Sequence, residues 1–271
     1  MGGQRLYSGL LMSLEKNKAI LIALPAKDEE KKIGPVLDKI RLYFPGRDIL
    51  IVDDGSTDGT VRVAADRQVL VVHHDRNYGY ARALQTAREY ALSHGYRNLV
   101  LCDADGQHEP RDIGRIISAL LDGRADYVIA SRELGSAPHG DPFIHKYGRK
   151  LYSALVSLWF FPAFRMRITD SSSGFKGWSA RAMRLFDEIF RTTNRLHDGR
   201  INDLEELFIV AKHRLKIAEV PARFYMRKDD YSRIYADYGI SGSRFRLKDV
   251  YFVFFSWPEL FVRTILRNIF R

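Results

Sequence analysis

Short apolar runs alternate with longer segments of helical period over the first 130 residues of the chain. AILIAL (19–24), ILIV (49–52), VLVV (69–72), NLVLC (98–102) and DYVIA (126–130) show no steady polar alternation, the mark of strands buried on both faces. Between them KKIGPVLDKIRLYF (31–44), TVRVAADR (60–67), YARALQTAREYALSHG (80–95) and PRDIGRIISALLDG (110–123) carry apolar residues three and four apart, and glycines end two of them, as in helices. This alternation predicts an α/β fold built on a doubly wound, mostly parallel sheet. The second half is less regular, with helices expected over 145–161, 179–190 and 203–213 and strands at GFKGW (174–178) and KIAEV (216–220).

In such a sheet the ligand sits outside the carboxyl ends of the strands. The segments there are PAKDEE (25–30), DDGSTDGT (53–60), DRNYG (75–79), DADGQHEP (103–110) and SRELGS (131–136), so carboxylates gather on one rim. Neither GxGxxG nor GxxxxGK[ST] occurs. A carboxylate rim without a phosphate-cradling loop needs a divalent cation to hold a polyphosphate. Asp103 and Asp105 follow directly on a buried run; on extended backbone they point the same way and offer hard oxygens to Mg²⁺ or Mn²⁺. Gln107 adds a neutral oxygen. His108 is expected to be satisfied by backbone rather than to ligate, and Cys102 to be a small buried strand residue.

Charge sharpens this picture. The chain carries a net +10, yet residues 1–130 hold 18 Lys+Arg against 18 Asp+Glu, so the whole excess lies in residues 131–271. A basic half suits phosphorylated ligands, an anionic membrane surface or nucleic acid, and charge alone does not choose. The acidic rim repels nucleic acid, so none is expected there. A single cysteine rules out an internal disulfide, and LYSGLLMSL near the start lacks a cleavage site, so a cytoplasmic location is expected. Near the end, Val250–Pro258 is the longest charge-free stretch, well short of the roughly 20 apolar residues of a membrane span. In the tail, Ser256 and Glu259 form a capping-box pattern and Arg263, Arg267 and Arg271 a stripe beside Leu260, Phe261, Ile265, Leu266 and Ile269. That suits an amphipathic helix lying in a membrane interface, or one packed on the body or on a second copy.

Taken in order, these motifs resemble family 2 of the glycosyltransferases, with the GT-A fold, and within it the dolichyl- or polyprenyl-phosphate mannosyl- and glucosyltransferases. LPAKDEE resembles the family's PxYNE motif, VDDGSTDGT its nucleotide motif, DADGQH its metal motif, and ASRE supplies the arginine of a fourth. RKLYS (149–153) is similar to RxxxS, DSSSGFK to DxTSGFR, and DLEELFIVAKHRLKIAEVP to a DxE helix leading to an EVP strand, with Arg227 and Arg233 as a basic pair. The resemblance implies a catalytic domain over 19–235, with a nucleotide-sugar and metal half (19–130) and an acceptor half (131–235). An N-terminal extension (1–18) and a helical, membrane-interfacial tail (236–271) flank it.

By the same resemblance, Pro25, Glu29, Val52 and Asp54 hold the nucleoside end of the donor. Asp103, Ala104, Asp105 and Gln107 form the diphosphate and metal site, and Arg132, Arg227 and Arg233 close on the donor. Arg149 and Ser153, one helical turn apart, grip the acceptor phosphate. Asp203 or Glu205 is the candidate base if the acceptor is a hydroxyl. Lys27 replaces the tyrosine of PxYNE and leaves guanine or uracil open; Lys176 for arginine and Arg233 for lysine change contact geometry. The implied activity is an inverting, Mg²⁺- or Mn²⁺-dependent transfer of a mannose- or glucose-type hexose from a GDP- or UDP-sugar to polyprenyl or dolichyl phosphate, with the enzyme peripheral on the cytoplasmic face of a membrane. The alternatives are a saccharide or small-molecule hydroxyl acceptor, or a non-catalytic nucleotide-sugar- or nucleic-acid-binding module.

Overall fold

Side chains alternate across a strand, so an apolar run feeds two faces at once. Leu21, Ala23, Leu50, Val52, Leu99 and Leu101 pack on one side of the sheet, and Ile20, Ile22, Leu24, Ile49, Ile51 and Val100 on the other. Both sets are buried, and helices cover both faces. The computed structural model describes residues 19–136, 143–165, 167–193 and 203–225.

The strands are β1 (Leu21–Ala26), β2 (Asp48–Asp53), β3 (Leu70–His73), β4 (Asn98–Leu101), β5 (Tyr127–Ser136), β6 (Lys176–Ser179) and β7 (Ile217–Arg223). The helices are α1 (Glu30–Tyr43), α2 (Thr60–Ala65), α3 (Tyr80–Ser93), α4 (Ile113–Leu121), α5 (Phe143–Phe164), α6 (Ala180–Thr193) and α7 (Asp203–Lys212). A single 3₁₀ turn at Pro110–Asp112 leads into α4. α3, α5, α6 and α7 pack on the Leu21/Leu50 face, α1, α2 and α4 on the other.

The sheet order is β3-β2-β1-β4-β6-β5-β7. β1 pairs in parallel with β2 and β4, β2 with β3, and β5 with β7. β6 lies between β4 and β5 and runs antiparallel to both. A short strand buried on both faces carries no direction in its hydrophobic pattern, so GFKGW was legible as a strand but not as a reversed one. Gly177 suits this central place, since a Cβ there would meet Ile116 of α4 at 2.4 Å.

β5 runs six residues past the predicted DYVIA and pairs with β7 across an irregularity between Ser131 and Ser136. Arg132 and Glu133 stand within that irregularity. Arg227, Arg233 and the capping-box tail lie outside the described residues. No described helix is long and apolar enough to cross a membrane.

Candidate active site

The carboxyl ends of β1, β2, β4 and β5 converge on one rim, and the loops that leave them are tied together by side chains. From the β1 loop, Lys27 donates to the Gly55 carbonyl at 2.7 Å, the Asp28 N–H to Ser56 Oγ at 2.8 Å, and the Glu29 N–H to Thr60 Oγ1 at 2.8 Å. Lys27, which stands where the resembled motif has tyrosine, therefore locks two loops. Pro25 and Val52 are register partners inside β1 and β2. The Val52 side chain is buried in the core, so it offers no side-chain contact to a nucleoside.

Asp54 differs from its sequence assignment. Its Oδ1 meets His74 Nδ1 at 2.7 Å and accepts the Tyr78 N–H at 2.9 Å, while Oδ2 accepts the Gly79 N–H at 2.8 Å. The carboxylate holds the loop that starts α3 instead of projecting into the rim. Gly79 adopts φ 90°, a conformation that favours glycine, and delivers Tyr80 as the first residue of α3.

The loop after β4 carries the predicted metal pair. Asp103 is half-buried, and its N–H donates to His108 Nδ1 at 3.1 Å. Burial lowers the pKa of His108, and nearby carboxylates oppose this only in part. Stacked on Phe175, with centroids 4.6 Å apart, His108 is a backbone-satisfied loop residue, as expected. The Asp105 carboxylate accepts the Gln107 N–H at 2.9 Å, and Gly106 makes the turn at φ 79°. Ala104 is buried and can offer only its backbone. Behind the loop, the Gln107 carbonyl accepts from the Tyr225 N–H and Tyr225 Oη donates to Glu109.

Asp103 and Asp105 fit a hard divalent cation by donor chemistry: two carboxylates, half-exposed, at the ligand edge of the sheet. Among the described residues no cluster of three or more His, Cys, Asp or Glu side chains is arranged to hold a metal. Substrate phosphate oxygens and water would have to complete the coordination, which is how Mg²⁺ is usually held.

Toward β5 the rim turns basic. Arg132 grips Asp170 through two parallel bonds of 2.7 and 2.8 Å, and its backbone N–H reaches the same carboxylate at 2.9 Å. Burial pushes the Asp170 carboxyl up, but Arg132 outweighs it and holds the group below the usual range. Arg149 on α5 lies 3.7 Å from Glu133 and also acts on Asp170. Ser153, paired with Arg149 in the sequence reading, is instead buried: its Oγ accepts the Ser171 N–H and lies 3.1 Å from Ser171 Oγ. It ties α5 to the 171–173 turn and does not face the rim.

Beneath the rim lies a cluster that the sequence reading missed. Lys176, at the start of β6, places its ammonium 2.5 Å from Asp203 and 2.7 Å from Glu206. Tyr127 Oη donates to Glu206 at 2.8 Å, and Arg88 approaches its other oxygen at 3.5 Å. Burial pushes the Lys176 pKa down, but the two carboxylates outweigh it and hold it well above the ordinary value. Burial likewise pushes Glu206 up, and Lys176 and Arg88 bring it below the ordinary range. By sequence Asp203 and Glu205 are alternative candidates, and positions two apart do not share a helical face, whereas Asp203 and Glu206, three apart, do. That spacing was the available signal. Glu205 is buried, and Asp203, with 38% of its side chain exposed, is the open end of the cluster.

A model described as glycosyl transferase family 2 matches residues 21–185. The chain is 30% identical over 214 residues to an undecaprenyl-phosphate mannosyltransferase of Micrococcus luteus, covering 77% of this chain and 84% of that protein. It is 29% identical over 226 residues to the UDP-N-acetylglucosamine–dolichyl-phosphate N-acetylglucosaminyltransferase of Methanococcus voltae, covering 76% and 86%. Among solved structures, glucosyl-3-phosphoglycerate synthase from Mycobacterium tuberculosis, in complex with Mn²⁺ and UDP-glucose, matches with a TM-score of 0.54 at 20% identity, covering 90% of this chain and 78% of that one.

Proposed function

This chain belongs to glycosyl transferase family 2, as a nucleotide-sugar glycosyltransferase of GT-A fold, and we propose that it transfers a hexose to a polyprenyl phosphate at a membrane surface. The observation that carries the acceptor is α5. Leu151, Leu155, Leu158 and Trp159 fall on one exposed stripe of this helix, with Leu158 77% exposed. The opposite face buries Val156 and Phe160 in the core. A helix apolar on both faces has a second apolar environment to meet, and an exposed patch of this kind marks an interaction surface. Of the charged residues of α5, Lys146, Arg149 and Lys150, the last two pair with Glu133 at 3.7 and 3.3 Å, so the apolar stripe and not its charge carries the membrane reading. Two relatives named above as acting on lipid phosphates support the same reading.

The donor diphosphate belongs at Asp103 and Asp105, the residues that would hold Mg²⁺ or Mn²⁺. Bound there, the ion would supply charge neutralisation for the departing nucleoside diphosphate. Arg149 would take the acceptor phosphate; it acts on Asp170, the same carboxylate that binds Arg132. A phosphate monoester has a second pKa of about 6, so its oxygen is already anionic near neutral pH. Attack on the anomeric carbon from the face opposite the leaving group, with inversion, then needs no strong general base. A second reading, a hydroxyl acceptor, draws on Asp203 as the exposed carboxylate of its cluster.

The deciding experiment incubates the protein with Mg²⁺ or Mn²⁺, radiolabelled GDP-mannose, UDP-glucose or UDP-N-acetylglucosamine, and a short polyprenyl phosphate. Label in the organic phase is the expected result. Donor binding without any organic-phase product would overturn the lipid-phosphate acceptor.

A further inference from the structure

Tyr80 is absent from the motifs that define the site, yet it stands inside it. Asp54 clamps the N–H groups of Tyr78 and Gly79, and this fixes the first turn of α3 so that the Tyr80 hydroxyl points at Asp103, 3.4 Å from its Oδ1. Tyr80 remains 43% exposed. Opposite, Gly174 supplies the room: a Cβ there would come within 3.2 Å of the Tyr80 hydroxyl and 3.5 Å of Asp103 Oδ2. Lys176 and Asp203 also act electrostatically on the hydroxyl. The sheet accounts for this proximity, because Lys176 is the register partner of Leu101, two residues before Asp103.

The phenol thus lies against Asp103, one of the carboxylates assigned to the diphosphate, and within electrostatic reach of the cluster that ends at Asp203. On the glycosyltransferase reading above, on which this inference rests, the sugar extends from the diphosphate toward the acceptor, because the anomeric carbon lies between leaving and attacking oxygens. We propose that Tyr80 is a specificity-determining residue for the transferred sugar, meeting the hexose of the nucleotide sugar on the acceptor side of the diphosphate. A neutral hydroxyl that both donates and accepts, carried on an aromatic face, matches a pyranose with its ring hydroxyls. The charged diphosphate has the cation site and the arginines.

The test compares the full chain with its Tyr80→Phe variant by calorimetry in Mn²⁺. The ligands are UDP and GDP, then UDP-glucose, UDP-N-acetylglucosamine and GDP-mannose. The variant is expected to bind the nucleoside diphosphates within about twofold of wild type and its preferred nucleotide sugar about 5- to 20-fold more weakly. Discrimination among the three sugars, read as kcat/KM ratios, should narrow by a similar factor. Equal losses for diphosphate and nucleotide sugar would overturn the proposal by moving Tyr80 to the diphosphate site, and no loss for either would remove it from the donor site. If wild type binds none of these nucleotides, the donor reading falls and this inference with it; if wild type binds and transfers while the variant matches it, only the Tyr80 assignment falls.

Discussion

Replacing Lys176 by methionine tests the buried cluster most directly. The Lys176 side chain is 3% exposed, and its ammonium neutralises two carboxylates whose side chains differ in their access to water: Asp203 is 38% exposed and Glu206 3%. Without the lysine, Asp203 can hydrate, so the cost concentrates on Glu206. Removing one partner of a buried pair costs about 3–5 kcal/mol when the other is left alone. Glu206 keeps the Tyr127 hydroxyl at 2.8 Å and Arg88 at 3.5 Å, which reduces the expected loss to about 2–4 kcal/mol. At about 2–4 °C per kcal/mol for a chain of this size, the melting temperature should fall by roughly 4–16 °C. Urea unfolding of Lys176→Met, Glu206→Gln and the double variant closes the cycle. The double variant should be more stable than the sum of the singles predicts, by about 1–3 kcal/mol, because the buried carboxylate that Lys176→Met strands is gone, while Arg88 loses its partner equally in Glu206→Gln alone. A Lys176→Met loss under about 1 kcal/mol, or singles additive within about 0.5 kcal/mol, would refute this account of the cluster.

Asp105→Ala should weaken Mn²⁺ binding in the presence of nucleoside diphosphate by at least about tenfold, measured by the free-Mn²⁺ electron paramagnetic resonance signal; unchanged binding would remove Asp105 from the metal site. Leu155→Glu with Leu158→Glu should abolish cosedimentation with phosphatidylglycerol vesicles while leaving donor binding intact, since both side chains are about half or more exposed, and retained cosedimentation would remove α5 as the membrane contact. Asp203→Asn should lower transfer to polyprenyl phosphate by less than about tenfold, because an ionised phosphate needs no base; a loss of about 10³-fold would favour the hydroxyl-acceptor reading. Asp170 and Glu206 are held below the ordinary carboxylate range in the folded protein, so their stabilisation is present above about pH 4 and is lost as pH falls through their folded-state values. Thermal melts between pH 6 and pH 2.5 should show this decline, and Asp170→Asn should flatten part of it.

The sequence by itself determined the α/β layering, because hydrophobic period reports which residues are buried whatever they touch. It also placed Asp103 and Asp105 at the ligand edge, since a buried run ending in carboxylates can end only at the rim. His108 and Cys102 were legible for the same reason, as small or backbone-satisfied residues beside that run. Tertiary structure alone decided direction and partnership. β6 runs against its neighbours although its pattern is that of any buried strand. Lys176 meets Asp203 and Glu206 from 27 and 30 positions away, and Asp54 turns to a loop 24 and 25 residues on instead of to the rim. Ser153 lies inside because Ser171 waits there, 18 residues along. Such pairs are set by how elements pack, and local sequence reports burial and chemistry without reporting which distant group will share the space.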